Sequence, residues 1–294
     1  MKNIVFFNHW HYGDLFSTRG LVTDIQRQLP DFRYSYAHRN NPLATRDLVT
    51  FTLSPNKIDQ ILNSIDQRTR FAQSDDTIFI NTWIGAYEGM WEGFHPPYLD
   101  HYVIFKTMHS LLNQHFNLNL NILESVWDYI PDIDYSKIDT SKIDQIVSEI
   151  TGSLYLICNN LVKSAQSDMG FMENTVEILA RQYPNDTFIV THGINSTLSN
   201  IRCTYNIFQM ENDLLEISYL SKFAKVIVGK NSSPYTYTQT KSNLLDANKR
   251  FVCFSRVESD ILTYGLQCEA SFIFSDTVDD IDAAYFINQV IKKK

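Results

Sequence analysis

One feature constrains this chain more than any other: short apolar runs of strand length alternate with stretches whose apolar residues fall three and four apart. NIVFFN at residues 3–8 has the unbroken apolar content of a buried strand. Residues 15–29 carry Leu15, Leu21, Val22, Ile25 and Leu29 at helical spacing, and Pro30 stops the run. RYSYA at 33–37 alternates as a strand does, 57–65 set Ile58, Ile61, Leu62 and Ile65 on one helical face, and TIFIN at 77–81 is the next strand. Residues 98–116 read as a helix with Tyr102, Phe105, Leu112 and Phe116 inward.

The pattern then breaks and restarts. Residues 127–148 are rich in Asp, Ile and Lys and contain Pro131, which predicts a crossover built as a solvated linker or helix face. Beyond it come strands at 154–158, 187–191, 225–228, 250–254 and 271–274, with helices at 171–183, 214–223 and 278–291. Strands that alternate with helices form parallel βαβ units. Two such series predict an α/β protein of two facing, Rossmann-like, doubly wound domains, 1–148 and 149–294. A chain of 294 residues, 44% hydrophobic, is long enough to bury both cores.

Composition narrows the function classes. The net charge of −8 argues against a general nucleic-acid coat or a polybasic membrane anchor. No apolar run approaches the roughly 18 residues of a membrane span, and the first apolar run is too short for a signal peptide. Cys158, Cys203, Cys253 and Cys268 form no CxxC pair, and two of them sit inside apolar runs. Reduced thiols and a cytoplasmic location are the expectation.

In doubly wound sheets, ligands bind beyond the carboxyl ends of the strands. The first strand is followed by Asn8-His9-Trp10-His11-Tyr12-Gly13-Asp14. Asp14 falls near a helix start, where it would act either as a helix cap or as a general base. His9 and His11 are candidates for acceptor or phosphate contacts. The strand at 77–81 leads to Trp83 and Tyr87, then to Trp91, Glu92 and His95, an aromatic loop suited to an acceptor wall. In the second half, strand ends lead to Asn159, Lys163 and Ser164, to His192, and to Gly229-Lys230-Asn231-Ser232-Ser233-Pro234. The last reads as a glycine turn into a helix start, with backbone N–H groups and a lysine for an anion. No GxGxxG or Walker A spacing occurs, so a common nicotinamide, flavin or P-loop enzyme is not expected.

These pieces resemble, in their order, the GT-B glycosyltransferases, most of all the lipopolysaccharide heptosyltransferase group (glycosyltransferase family 9). That family opens with a strand, a Gly-Asp turn and a helix ending before Pro, matched here by Gly13-Asp14 and the run to Leu29-Pro30. It later places Gly-x-Asp-(Ser/Thr)-Gly-x-x-His at the sugar-nucleotide phosphates, where this chain has Gly229-Lys230-Asn231-Ser232-Ser233-Pro234-Tyr235-Thr236. Asn231 stands in place of the Asp. The resemblance implies an N-terminal acceptor-side domain and a C-terminal nucleotide-sugar-binding domain. It implies an inverting, metal-independent transfer to a glycan hydroxyl, with no cofactor. Asp14 would be the base; Asn159, Lys163, Ser164, His192 and Gly229 to Ser233 would hold the donor; His9, His11, Trp83 and Tyr87 would meet the acceptor.

Two rival readings stay open at this level. His9, His11, His192 and Asp276 echo a metal-dependent amidohydrolase barrel, which would use them to hold zinc. A non-catalytic nucleotide-sugar binding protein would keep the same cleft without turnover, a reading that Asn231 favours.

Overall fold

The computed structural model describes residues 2–39, 42–90, 101–162, 167–210, 213–256 and 268–293. The chain divides into two compact units, the first running to Asp132 and the second starting at Ile133.

The first unit contains β1 (Asn3–Phe7), α1 (Tyr12–Ser17), α2 (Arg19–Gln28), β2 (Arg33–Ala37), α3 (Pro55–Ser64), β3 (Phe71–Ser74), β4 (Thr77–Asn81) and α4 (His101–Phe116). Its sheet has the order β2-β1-β4-β3. β1 runs parallel to β2 and β4, and β3 closes back antiparallel on β4. β1 is buried on both faces, which is why its sequence is an unbroken apolar run. Ile4 and Phe6 join Leu21, Val22, Ile25, Phe105 and Met108 on one face. Val5 and Phe7 join Ile58, Ile61 and Leu62 of α3 on the other.

The helix expected over 15–29 is two helices. Ser17 and Thr18 hydroxyls both donate to the Asp14 carbonyl, at 3.1 Å each, and such back-bonding loosens a helix at that turn. The break turns Arg19 inward, where it is fully buried. Its guanidinium pairs with Asp47 and donates to the Ala44 and Asp132 carbonyls. Gly20 lies next to it on α2. A Cβ there would sit 1.7 Å from the Tyr129 carbonyl oxygen, so only glycine lets the 126–129 turn approach.

The second unit contains α5 (Ser141–Glu149), β5 (Leu154–Cys158), α6 (Glu173–Gln182), β6 (Thr187–Val190), β7 (Ile201–Cys203), α7 (Thr204–Phe208), α8 (Leu214–Ser221), β8 (Val226–Lys230), α9 (Ser233–Thr236), α10 (Lys241–Leu244), β9 (Arg250–Phe254), β10 (Ser271–Ser275) and α11 (Asp280–Lys292). Its sheet is parallel throughout, in the order β10-β9-β8-β5-β6-β7. Counted within the unit, that is the strand order 3-2-1-4-5-6 of the dinucleotide-binding fold. α6 and α11 cover one face with Val176, Leu179, Ala283, Ile287 and Val290. The 133–149 segment belongs to this unit. Tyr135 and Ser218 share a hydroxyl bond of 3.0 Å, and Tyr219 donates to Asp144 at 2.9 Å.

Two short strands, β3 and β7, lie outside the sequence expectation, and β8 extends to Lys230 rather than ending at Val228. Gly229 is therefore a strand residue, paired with Cys158 and Cys253, not a turn. Its hydrogen faces the Tyr235 ring, which a Cβ would meet at 2.5 Å. The two open sheets replace the closed barrel that the amidohydrolase reading required.

Gly20→Ala should lower the stability of the first unit by about 1–3 kcal/mol, because the Tyr129 backbone has to shift. Urea unfolding followed by near-UV dichroism would measure it; an unchanged midpoint would refute the close-approach argument.

Candidate functional site

In the second unit the strand order reverses between β5 and β8, and a crevice at the carboxyl edge is the site that this topology offers a ligand. Asn159 leaves β5 at that point and is fully buried. Its amide nitrogen donates to the Phe171 and His192 carbonyls, both at 2.9 Å, and its oxygen accepts the His192 N–H at 2.7 Å. The side chain thus replaces the next strand residue and ties the exits of β5 and β6 together. His192 itself is exposed. Its ring stacks on Phe171 at 4.3 Å and 14°, which makes a flat aromatic surface at the strand ends.

Lys230 differs from the expectation. Its ammonium does not face outward: it donates to the carbonyls of Asn159 (3.1 Å), Met169 (3.2 Å) and Gly170 (2.7 Å), and the residue is fully buried. Burial pulls it down to about 8. Its charge shapes the loop after β5 rather than meeting a ligand directly. Ser232 precedes α9, whose Thr236 N–H returns to the Ser232 carbonyl at 2.9 Å. The Ser232 hydroxyl is buried and has no hydrogen-bond partner among the described residues. Asn231 and Ser233 flank it. Lys163 and Ser164 lie outside the described residues.

Asp213, which the sequence marks only as a helix start, opens α8. It is 8% exposed, and its Oδ2 has no partner among the described residues. Burial pushes its carboxyl up to about 6, against the effect of a Thr204 hydrogen bond, and nearby Glu216 adds to the rise. The sequence signal for it was an acidic residue opening a helix between two strands, which is equally the signal of an ordinary cap. A groove of about 540 Å³ runs along the β6–β7 edge, lined by Val190, Ile194, Arg202, Cys203 and Asn206 among others.

In the first unit, Asn8 and Asn81 end β1 and β4 with the same device. The Asn8 oxygen accepts the Trp10 N–H at 2.8 Å, and the Asn81 oxygen accepts the Trp83 N–H at 2.9 Å. These two turns bring the Trp10 and Trp83 rings within 4.9 Å of one another. Asp14 is the third residue of α1 and closes a capping box with His11, the N-cap residue. Its Oδ2 accepts the His11 N–H at 3.1 Å. Burial raises its carboxyl; that hydrogen bond and the charges of His11 and His38 act against the rise. His11 is exposed at the helix start. His9 turns toward α3, with Nε2 at 2.9 Å from the Leu62 carbonyl and Nδ1 buried with no partner among the described residues. Tyr87, expected at an acceptor wall, is fully buried, and its hydroxyl donates to the Asn81 carbonyl. It is a core residue, because Phe71 and Arg70 cover its ring. Trp91, Glu92 and His95 lie outside the described residues.

Among the described residues no group of three His, Cys, Asp or Glu side chains is placed to hold a metal ion. No helix among them is long and apolar enough to cross a membrane.

Asp213 should depress stability as pH rises. Its carboxyl binds a proton more tightly folded than unfolded, so ionisation between about pH 4 and 6 opposes folding. Asp213→Asn should therefore gain up to about 3 kcal/mol over the parent at pH 7.5 and much less at pH 4.5. Urea titrations at both values test this; an equal difference at the two would refute the assignment.

The sequence matches no protein-family model and no curated protein. Solved structures do resemble it over their whole length. The E. coli heptosyltransferase WaaC with ADP-2-deoxy-2-fluoro heptose has a TM-score of 0.56 and 9% identity, over 99% of each chain. A family 9 glycosyl transferase from Veillonella parvula has a TM-score of 0.50 and 12% identity, over 99% of this chain and 89% of that one. The UDP-GlcNAc 2-epimerase from Neisseria meningitidis bound to UDP-GlcNAc has a TM-score of 0.50 and 9% identity, over 100% and 92%. At such identities the likeness is one of fold, and the fold of this chain is GT-B, with two Rossmann-like α/β units.

Proposed function

We propose that this chain is a glycosyltransferase that moves a sugar from a nucleotide-diphosphate donor to a glycan hydroxyl. The observation that carries the reading is the carboxyl edge of the second sheet. There Asn159 follows β5 and is bonded to His192 after β6, Ser232 follows β8 and Asp213 opens α8, all at the carboxyl edge where such sheets take nucleotides. The WaaC and epimerase structures carry ADP-heptose-type and UDP-GlcNAc ligands, so nucleotide sugars are compatible with this fold.

In this reading the second unit is the donor side. The exposed His192–Phe171 face takes a flat or ring-shaped part of the nucleotide. The Ser232 hydroxyl and the Ser233 N–H take the diphosphate, where negative charge grows as the leaving group departs, while the Ser232 N–H is held by the Lys230 carbonyl. Lys230 supports that loop from within. Lys163 and Ser164 complete the set. The first unit is the acceptor side, with Trp83 and Trp10 paired and half-exposed or exposed, and with His11 exposed and bonded to Asp14.

The chemistry is a single displacement. The acceptor oxygen forms a bond to the anomeric carbon, the bond to the nucleotide diphosphate breaks, and configuration inverts. The acceptor proton passes to the Asp14 carboxylate. A carboxylate raised by burial is a stronger base than one in water, which suits the role. The step needs no cofactor and no metal. A cytoplasmic location fits a nucleotide-sugar enzyme. The non-catalytic alternative rests on Asn231, where the resembling family carries a carboxylate.

Purified protein should be stabilised by one class of nucleoside diphosphate, by roughly 2.7 kcal/mol at 100 times its Kd. His192→Ala should weaken that binding, and Asp14→Asn should leave it intact while cutting transfer by roughly 10²–10⁴-fold. Thermal shift and a released-nucleotide assay read these separately. Binding without any turnover would establish the non-catalytic reading; no nucleotide binding would sink both.

A further inference from the structure

In the first sheet the strand order reverses between β1 and β4, and the two strands end level, with Phe7 beside Asn81. A reversal of this kind opens a crevice at the carboxyl edge. The chains leaving the two strands bring Trp10 and Trp83 together there, with ring centres 4.9 Å apart and planes tilted by 34°.

The pair has a backed inner ring and an open outer one. A Cβ on Gly85 would stand 2.2 Å from Cζ2 of Trp83, and 2.5 and 2.6 Å from the two ring atoms beside it. Those distances put it above the face of the ring, not at its edge, so the Trp83 indole lies flat over Gly85. Trp10 leans on Trp83 and is 37% exposed. Both main chains are tied on either side of the ring. The Trp10 N–H donates to Asn8 at 2.8 Å, and its carbonyl accepts from His38 Nε2 at 2.8 Å. The Trp83 N–H donates to Asn81 at 2.9 Å, and its carbonyl accepts the Ala86 N–H at 3.0 Å. Rings held in this way lose little freedom when a ligand covers them.

Charge narrows what can cover them. Residues 8–18 and 82–105, which carry the two indoles, contain no Lys or Arg. Asp14 is close by, since its carboxylate accepts the N–H of His11, the residue next to Trp10, at 3.1 Å. In the chain leaving β2, Arg39 donates to Asn63 and Arg46 to the Leu43 carbonyl. An anionic sugar would give up hydration here with no permanent cation in the indole-bearing segments to replace it. A neutral pyranose has an apolar C–H face and a rim of hydroxyls. Such a ring matches an indole face that has a carboxylate beside it.

We infer that Trp10 and Trp83 form a stacking platform for an uncharged pyranose, and that the acceptor of this chain is a neutral sugar, not an acidic one. The acceptor role rests on the sugar-transfer reading; the platform rests on the first unit alone.

The test uses the full chain, isotope-labelled at tryptophan, with the four indole N–H resonances assigned by single substitutions. Methyl glycosides of glucose, galactose and mannose are titrated, each against the methyl glycoside of its uronic acid, which differs by one carboxylate. Saturable shifts at Trp10 and Trp83 are expected with at least one neutral glycoside, and its uronic counterpart should bind about tenfold more weakly or worse. Trp10→Ala should weaken the neutral glycoside about tenfold, while Trp10→Phe, which keeps an aromatic face, should retain most of the affinity. Thermal midpoints check that both variants fold, and the parent's shift with nucleoside diphosphates reads the transfer reading separately. Nucleotide binding without any neutral glycoside at the indoles overturns this inference and leaves the transfer reading standing. A neutral glycoside bound by a protein that takes no nucleotide supports the platform and overturns its acceptor role. A uronic glycoside bound as tightly as its neutral partner overturns the preference for a neutral acceptor. Affinity unchanged by Trp10→Ala overturns the platform.

Discussion

A parallel strand that leaves its sheet must hand its backbone hydrogen bonds to something else, and both units depend on how this is done. Three asparagines perform the handover: Asn8 after β1, Asn81 at the end of β4, and Asn159 after β5. Each is fully buried. Each uses its oxygen to accept an N–H from the chain leaving a strand, at 2.7 to 2.9 Å. The amide nitrogens of Asn81 and Asn159 then donate to loop carbonyls from other elements. Asparagine suits the task because a buried amide can satisfy both a donor and an acceptor within one residue. A serine reaches less far, and an aspartate offers no donor. Where these turns are fixed, Trp10, Trp83 and His192 are fixed with them.

Burial is the second organising influence; it raises both carboxylates, and their charged neighbours act on them in opposite directions. Asp14 and Asp213 are both raised by desolvation. Asp14 keeps a hydrogen bond from His11 and the charges of two histidines, which hold its anionic form accessible. Asp213 has Glu216 nearby, which adds to its rise. One carboxylate is thus poised to accept a proton, and the other to keep one in mildly acidic solution. The buried lysines follow the same rule with the sign reversed. Lys230 and Lys249 are each drawn down to about 8, and each gives its ammonium to backbone carbonyls. Carbonyl oxygens can solvate an ammonium without a counter-ion, which lets the interior tolerate these two groups.

The central strands were legible because each reads as an apolar run wherever both its faces are covered. β2, β4, β5 and β9 span the residues that the sequence predicts, and β1 ends one residue earlier. Of the four edge strands, β2 and β10 were legible and β3 and β7 were not. β3 is FAQS and β7 is IRC, each too short and too exposed to leave a pattern. The break at Thr18 comes with the back-bonded hydroxyls of Ser17 and Thr18 and turns Arg19 toward Asp47, and helical spacing carries no trace of either. Gly229 looked like a turn because glycine usually marks one, yet its role is set by a ring six residues later. Tyr87 looked exposed among glycines for the same reason. Of the proposed site, the strand-end positions were readable, but the direction of a side chain was not. Lys230 shows this most clearly, since its position is at the edge and its ammonium is inside.

That inward lysine changes how the donor half has to work in a sugar-transfer reading. A phosphate cradle with a lysine facing outward would stabilise the leaving group by direct charge. Here Lys230 fixes the backbone after β5, and the groups left at the edge are N–H dipoles, the Ser232 hydroxyl and the neutral Asn231. Dipoles that are already oriented need no reorganisation when charge develops, so such a cradle is effective if the loops are rigid. The three carbonyl bonds of Lys230 and the double clasp of Asn159 supply that rigidity. Replacing the resembling family's aspartate by Asn231 also removes one negative charge from beside the phosphates. In a cradle without an outward Lys230, that removal compensates part of the lost attraction. In this reading the inward Lys230 and the uncharged Asn231 next to it act together on the electrostatics of a single loop.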